Sequence, residues 1–411
     1  MRNLLIILGS LPFATSANEA LKLLDQESDS AQNIFEQAAR LPTSRKALEL
    51  KKEKLELADP KIPNRWRNEL SPKFPFDVEP QTTIAPRGLF EYQSYDRSLG
   101  RGTKLSRARV GVAVQTHNGI EILADALLSS SGSYEGLETL RASAPIGESM
   151  RLTGGKFPPP FSTEYSRDAA VRWFPTLSPL AAQMAPASSL GFLLEGRESD
   201  FDWKLGWFSS DADRSIPSLD GKGYVLASVA KSRNRGGVEG APQATYQRWH
   251  LDYLHNMDGS QSETIGRGYR HLVSAGTEFS TGRFDFYADI LAARGNNQTV
   301  YGVTAAGRYW LLQDAVSLVS RYQYARSRET NGLFSYWGIP DTGSDAIFPN
   351  NFPEVTPAGQ MHSFHTGINI HFDDDNLILG TGVEFRSLSE IGDSGDSLRS
   401  WGWNTFARYS F

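Results

Sequence analysis

The sequence predicts an all-β fold: a closed antiparallel transmembrane β-barrel of about sixteen strands, carrying a short helical N-terminal periplasmic arm. Three observations predict it. From Gly88 onward, apolar and aromatic residues recur every second position, the period of a strand with two different faces. The joints between these strands alternate brief and long, as in barrels whose periplasmic turns only close hairpins while the outer loops guard the mouth. Finally, "WGWNTFARYSF" at 401–411 puts Trp401, Trp403, Thr405, Ala407, Tyr409 and Phe411 on one face, with aromatic rings at both ends of a single strand. Rings of this kind settle at the two interfaces of a membrane.

Composition agrees. Hydrophobic residues make up only 39%, and beyond the N-terminus no stretch approaches the ~20 apolar residues of a membrane helix. The 37 glycines, 22 phenylalanines, 15 tyrosines and 9 tryptophans fit strands that face lipid on one side and water on the other. A soluble propeller or sandwich would instead need a core face of Val, Ile and Leu. A formal charge of −5 argues for neither nucleic acid nor strong self-repulsion.

The elements follow in order. Residues 1–17 combine Arg2, the apolar run Leu4–Leu11 and small residues up to Ala17, which reads as a secretory signal peptide. The absence of cysteine suits an oxidising periplasm. Residues 18–59 form the helical periplasmic arm, read from Leu21, Leu24, Ile34, Phe35, Ala38 and Leu41; a short coiled coil and a solvated arm are both open. A Pro-rich linker covers 60–86, and the barrel covers 87–411. Its strands are expected near 88–95, 104–115, 119–128, 136–144, 150–157, 189–197, 200–209 and 221–231, then 244–256, 268–280, 283–293, 298–311, 315–326, 361–372, 377–388 and 398–411. One joint, "SRNRGGVEGAPQ" at 232–243, is long for a periplasmic turn and leaves the count open there.

A barrel this wide leaves an aqueous channel, so function is read from the inward parity. The outward parity carries Phe201, Trp203, Leu205 and Trp207, Trp249, Leu251 and Tyr253, and Phe284, Phe286, Ala288 and Ile290. The inward parity carries Arg107, Arg109, Arg141, Arg151, Lys204, Arg248, Arg270, Arg308, Arg321, Arg386 and Arg408. Nearly as many acids accompany them, among them Glu121, Asp125, Asp252, Glu278, Asp285, Asp289 and Glu384. Arg107, Arg109, Arg141, Arg151, Arg386 and Arg408 lie on strands that barrel closure makes near neighbours. Guanidinium forks on such a wall would attract anions, unless interleaved acids neutralise them as lumen ion pairs. Small Ala108, Gly111 and Ala113 would allow close approach between barrels in a trimer.

The gap at 158–188, within "GGKFPPPFSTEYSRDAAVRWFPTLSPLAAQMAPASSLGF", is rich in Pro, Ala and aromatics. So apolar a segment should pack, either inward as a constriction or on a neighbouring subunit. This stretch, with "LSRARVGVAV" before it and "FDWKLGWFS" after it, resembles the phosphate-selective porin O/P family of outer-membrane channels. The resemblance implies a sixteen-stranded trimer whose third loop folds into the pore, with basic residues at the constriction. By position, Lys156, Arg167 and Arg172 would belong to that constriction, and Glu164 and Asp168 sit among them.

No metal or cofactor is expected, and no enzymatic chemistry: His362 and His365 in "HSFH" fall on opposite faces of a strand, and no nucleophile elbow or phosphate loop is present. The reading is a porin of the bacterial outer membrane that passes small hydrophilic anionic or neutral solutes with a weak preference for anions, phosphate being one candidate. Its partners would be outer-membrane lipid, the barrel-assembly machinery through Phe411, and two further copies of itself; nucleic acid is not among them. The alternative is a structural or adhesion barrel that tethers the envelope.

Overall fold

The computed structural model describes residues 76–411 apart from 80–81, 98–99, 130, 212–214, 216–217, 220, 236–244, 260–267, 296–297, 329–332, 337–354, 373–374 and 390–396. The expected signal peptide, the helical arm and most of the linker lie outside these residues.

The barrel opens with β1 (Phe76–Glu79), which pairs back on the start of β2 (Thr82–Arg97). Next come β3 (Gly100–Thr116), β4 (Glu121–Leu128), β5 (Tyr134–Ile146), β6 (Met150–Phe157), β7 (Ser189–Glu198) and β8 (Phe201–Phe208). The far wall holds β9 (Tyr224–Arg235), β10 (Thr245–Asn256), β11 (His271–Thr281), β12 (Phe284–Gly295), β13 (Gln298–Leu312) and β14 (Val316–Ser327). A small separate hairpin, β15 (Leu333–Tyr336) with β16 (Val355–Ala358), sits in the long gap before β17 (Gln360–Phe372), β18 (Leu377–Ser389) and β19 (Ser397–Ser410). Each strand from β2 onward pairs antiparallel with the next, passing over the hairpin, and β19 pairs β2, which closes sixteen strands into a barrel.

Alternation is what positions the side chains. On β19, Trp401, Trp403 and Tyr409 are exposed to the outside, while Gly402, Asn404, Phe406 and Arg408 are buried. Phe201, Leu205, Trp249, Leu251, Tyr253, Phe284 and Ile290 are likewise exposed on the outer face. Across the long joint at 232–243, Arg235 pairs Thr245 and the two strands stay in register to Tyr224 and Asn256, so β9 and β10 are neighbours in the barrel.

Three expectations change. First, β2 starts at Thr82, inside the segment read as linker, and runs through Pro86. That proline is tolerated because β19 covers β2 only from Leu89 onward, so the edge beside Pro86 has no β19 strand residue as its partner. Second, β3 carries a bulge: Glu91 pairs Arg107 but Tyr92 pairs Leu105, leaving Ser106 as the extra residue. Third, Gly111 and Ala113 are no docking stripe for another barrel. A Cβ on Gly111 would lie 2.1 Å from Asp125 Oδ1, a buried inward carboxylate, so Gly111 faces the lumen and Ala113 shares its parity.

At the seam, Gly88 and Phe411 exchange two backbone hydrogen bonds, of 3.0 and 3.1 Å. The Phe411 ring covers Gly88 so closely that a Cβ there would meet a ring carbon at 2.3 Å.

Candidate functional site: the lumen and its inserted segment

Residues 158–188 fold into the barrel. Their outer portion, helix α1 (Pro179–Met184), has proline at its first turn and is buried along its whole length. Leu180, Ala181 and Met184 pack with Phe157, Leu226, Leu254, Leu272 and Leu291 in one apolar cluster. That explains the Pro, Ala and aromatic content of the segment: it is core, not a solvated loop.

The polar portion is tied to the wall on opposite sides. The amides of Ser162 and Thr163 donate to Asp252 and Asp289, each at 2.9 Å. Glu164 accepts from Arg321 Nη1 at 2.6 Å and from the Ser178 amide at 2.8 Å, and the same Arg321 nitrogen donates to the Thr176 carbonyl at 2.8 Å. Arg167 reaches Glu278 at 3.1 Å and lies over the rings of Trp173 and Tyr287. On the other side, Asp168 accepts from Arg109 at 3.0 Å and from Arg87 at 3.3 Å. Arg408 donates to the carbonyls of Arg172 and Phe174 at 2.5 and 3.2 Å while holding Glu91 at 2.6 Å. Asn369 adds a bond of 2.9 Å to the Trp173 carbonyl.

Charge is thereby matched almost site by site. Arg109 also pairs Glu138 at 3.2 Å, Arg151 pairs Glu121 at 2.7 Å, and Arg386 pairs Glu384 at 2.7 Å. Lys156 is buried on β6, and Arg141 is half-buried on the inward parity of β5. Burial would raise the Asp168 carboxyl, but Arg109, Arg87 and the Ala170 amide outweigh it and hold it well below the usual carboxylate range.

Two cations differ. Arg172 donates to the carbonyls of Arg167 and Tyr165, at 3.2 and 3.4 Å, and among the described residues forms no ion pair. Neither does Arg107, which stands half-buried on β3. Burial, followed by the charge of Arg107, lowers the Arg172 guanidinium to about 10, so it is still protonated at neutral pH. Wall and inserted segment thus face each other here with like charges.

Among the nine sequence-predicted residues, the structure therefore brings Arg107 and Arg172 together and sets Arg109, Arg151, Arg167, Arg386 and Arg408 in ion pairs. Sequence reasoning missed Arg87, Glu91 and Glu138. Arg87 stood just ahead of the first expected strand at 88–95, and Glu91 lies on the inward parity of β2 with its partners set only by pairing. Glu138 is the residue skipped between the Thr139–Asp125 and Leu137–Ala126 pairs, a bulge defined only by the partner strand.

No protein-family model matches the chain, and no curated protein matches it. Solved structures do. An anion-selective porin from Comamonas acidovorans superimposes with a TM-score of 0.55 at 9% identity, covering 80% of this chain and 100% of that one. A loop-deletion form of OmpT, an outer membrane protein of Vibrio cholerae, gives 0.53 at 12% identity, covering 80% and 100%. The outer membrane channel DcaP of Acinetobacter baumannii gives 0.50 at 11% identity, covering 82% and 99%. At such identities the likeness is one of fold: the chain is a porin-type sixteen-stranded barrel of the bacterial outer membrane.

Proposed function

We propose that this protein is a non-enzymatic channel for passive diffusion of small hydrophilic solutes, with a weak preference for anions, phosphate among them. The observation that carries this reading is the segment 158–188 held across the lumen with Arg107 and Arg172 left without carboxylate partners beside it. In so narrow a section the effective dielectric falls below that of water, and two fixed cations weigh on every passing ion. A homotrimer is part of the proposal; the solved neighbours include a trimer form of OmpT. So is membership of the O/P porins, supported by the quoted motifs and the inward third loop.

Planar-bilayer recording tests it. Reversal potentials in asymmetric KCl should favour chloride, and added phosphate should lower the chloride current. Arg107→Glu should move the reversal potential toward cation preference, with a smaller shift at 1 M salt, where screening acts over about 3 Å. A reversal potential unmoved by Arg107→Glu removes the anion reading.

The density of bonds from the segment to opposite walls favours a second reading, a structural barrel in which conduction is incidental. An absence of conductance from folded, inserted protein would select it.

A further inference from the structure

On the outside of the barrel, at the long-loop end, the registers of three neighbouring strands bring basic side chains into one row. His255 of β10 pairs His271 of β11, and His271 pairs Arg294 of β12. All three share the parity of outward Tyr253, Val273 and Ile290. The two imidazole rings lie 4.9 Å apart between centroids, and the Tyr253 hydroxyl stands 2.9 Å from His271 Nδ1. Among the described residues no carboxylate is within ion-pairing distance of His255, His271 or Arg294. Beneath the row, towards the middle of the barrel wall, Tyr253 and Tyr301 pair in their own rows and are exposed, which sets the level of the membrane interface.

On β4, β6, β7 and β8 the outer face presents Ile122, Leu152, Phe192 and Leu205, and on β14 and β19 the single cations Arg326 and Arg399. The row places three basic side chains side by side where lipid head groups lie, and a cationic row at that depth attracts anionic head groups. The chemistry of the row is specific. Arginine offers a planar two-donor fork, each imidazole an N–H, and tyrosine an O–H, a set that suits the several acceptor oxygens of a phosphate monoester. A divalent metal is a poorer occupant, since among the described residues no group of three His, Cys, Asp or Glu could hold one.

We propose that His255, His271 and Arg294, with Tyr253 below them, bind the phosphate of an outer-leaflet lipid head group on the outside of the barrel. The site is independent of solute passage, because none of these side chains enters the lumen.

Native mass spectrometry of the detergent-purified protein tests it, with bisphosphorylated lipid A, the same lipid dephosphorylated, and inorganic phosphate as probes. The wild type should retain the phosphorylated lipid at least tenfold better than the dephosphorylated one, and inorganic phosphate should not displace it. Combined His255→Gln, His271→Gln and Arg294→Gln should lower retention roughly tenfold, the worth of one lost charge-assisted hydrogen bond. Heat-modifiable mobility and single-channel conductance verify that the variant is folded; should it fail to fold, Arg294→Gln alone is expected to reduce retention severalfold. Equal retention of both lipids overturns the proposal, as does unchanged retention in a folded variant. Displacement of the lipid by inorganic phosphate overturns it in favour of a free-phosphate site.

Discussion

Replacing Arg321 with Met tests what holds the inserted segment in place. Arg321 and Glu164 have side chains 2% and 5% exposed, and the pair is 2.6 Å apart. The guanidinium also bonds the Thr176 carbonyl at 2.8 Å and lies 4.5 Å from the Phe174 ring centroid. Met fills much of the same volume but leaves Glu164 without its counter-charge, with only the Ser178 amide and hydroxyl as partners. Removing one member of a buried pair costs about 3–5 kcal/mol. Each 1.4 kcal/mol is a factor of ten, so the released arrangement of the segment gains roughly two to three and a half decades in population. In planar bilayers the variant should show larger single-channel conductance and more frequent current steps than the wild type. Adding Glu164→Gln removes the orphaned charge while keeping a partner for Ser178. The double variant should therefore recover part of the loss, a coupling that a double-mutant cycle measures directly. Conductance and noise identical to the wild type in Arg321→Met would refute the idea that this pair pins the segment.

Further outcomes follow from the same geometry. Gly88→Val should drive the Phe411 ring off the seam and lower the level of heat-modifiable protein in outer membranes, and Phe411→Ser should do the same; unchanged levels of both remove the seam from assembly. Because the folded Asp168 carboxyl is depressed, its stabilisation should be complete above the unfolded value near 4 and fade as pH falls below it. Thermal unfolding should then show Asp168→Asn less stable than wild type at pH 7, with the gap closing at acid pH. Deleting part of 163–184 should raise conductance, measured per channel, since the narrowest section sets the resistance.

The strand order was readable because a period of two survives wherever one face meets lipid and the other meets water. The sixteen expected strands coincide with β2–β14 and β17–β19 to within a few residues at most ends, the largest difference lying at the start of β2. What failed to read was local or relational. Pro86 looked like the end of a linker because nothing in sequence says which edge of β2 lies open. Ser106 gave no sign of a bulge, since the extra residue is defined only by the partner strand. The hairpin β15–β16 lay in a gap with no alternation long enough to notice. In the lumen, residue types were legible and partners were not: Arg408 meets Glu91 across more than three hundred positions of sequence. Charge balance predicted pairing in general, and only closure of the barrel decided that Arg107 and Arg172 stand outside it.

A thin-walled tube is softest when squeezed into an ellipse, a deformation that leaves every hydrogen bond between neighbouring strands intact. The inserted segment opposes it, because Arg408 and Arg109 grip one side of the segment while Arg321, Asp289 and Asp252 grip the other. It works as a strut across the bore. Ovalisation would have to stretch charge-assisted bonds instead of merely bending a sheet, so the cross-section should stay round under lateral membrane pressure. Letting go of one end of the strut would free the whole wall to breathe.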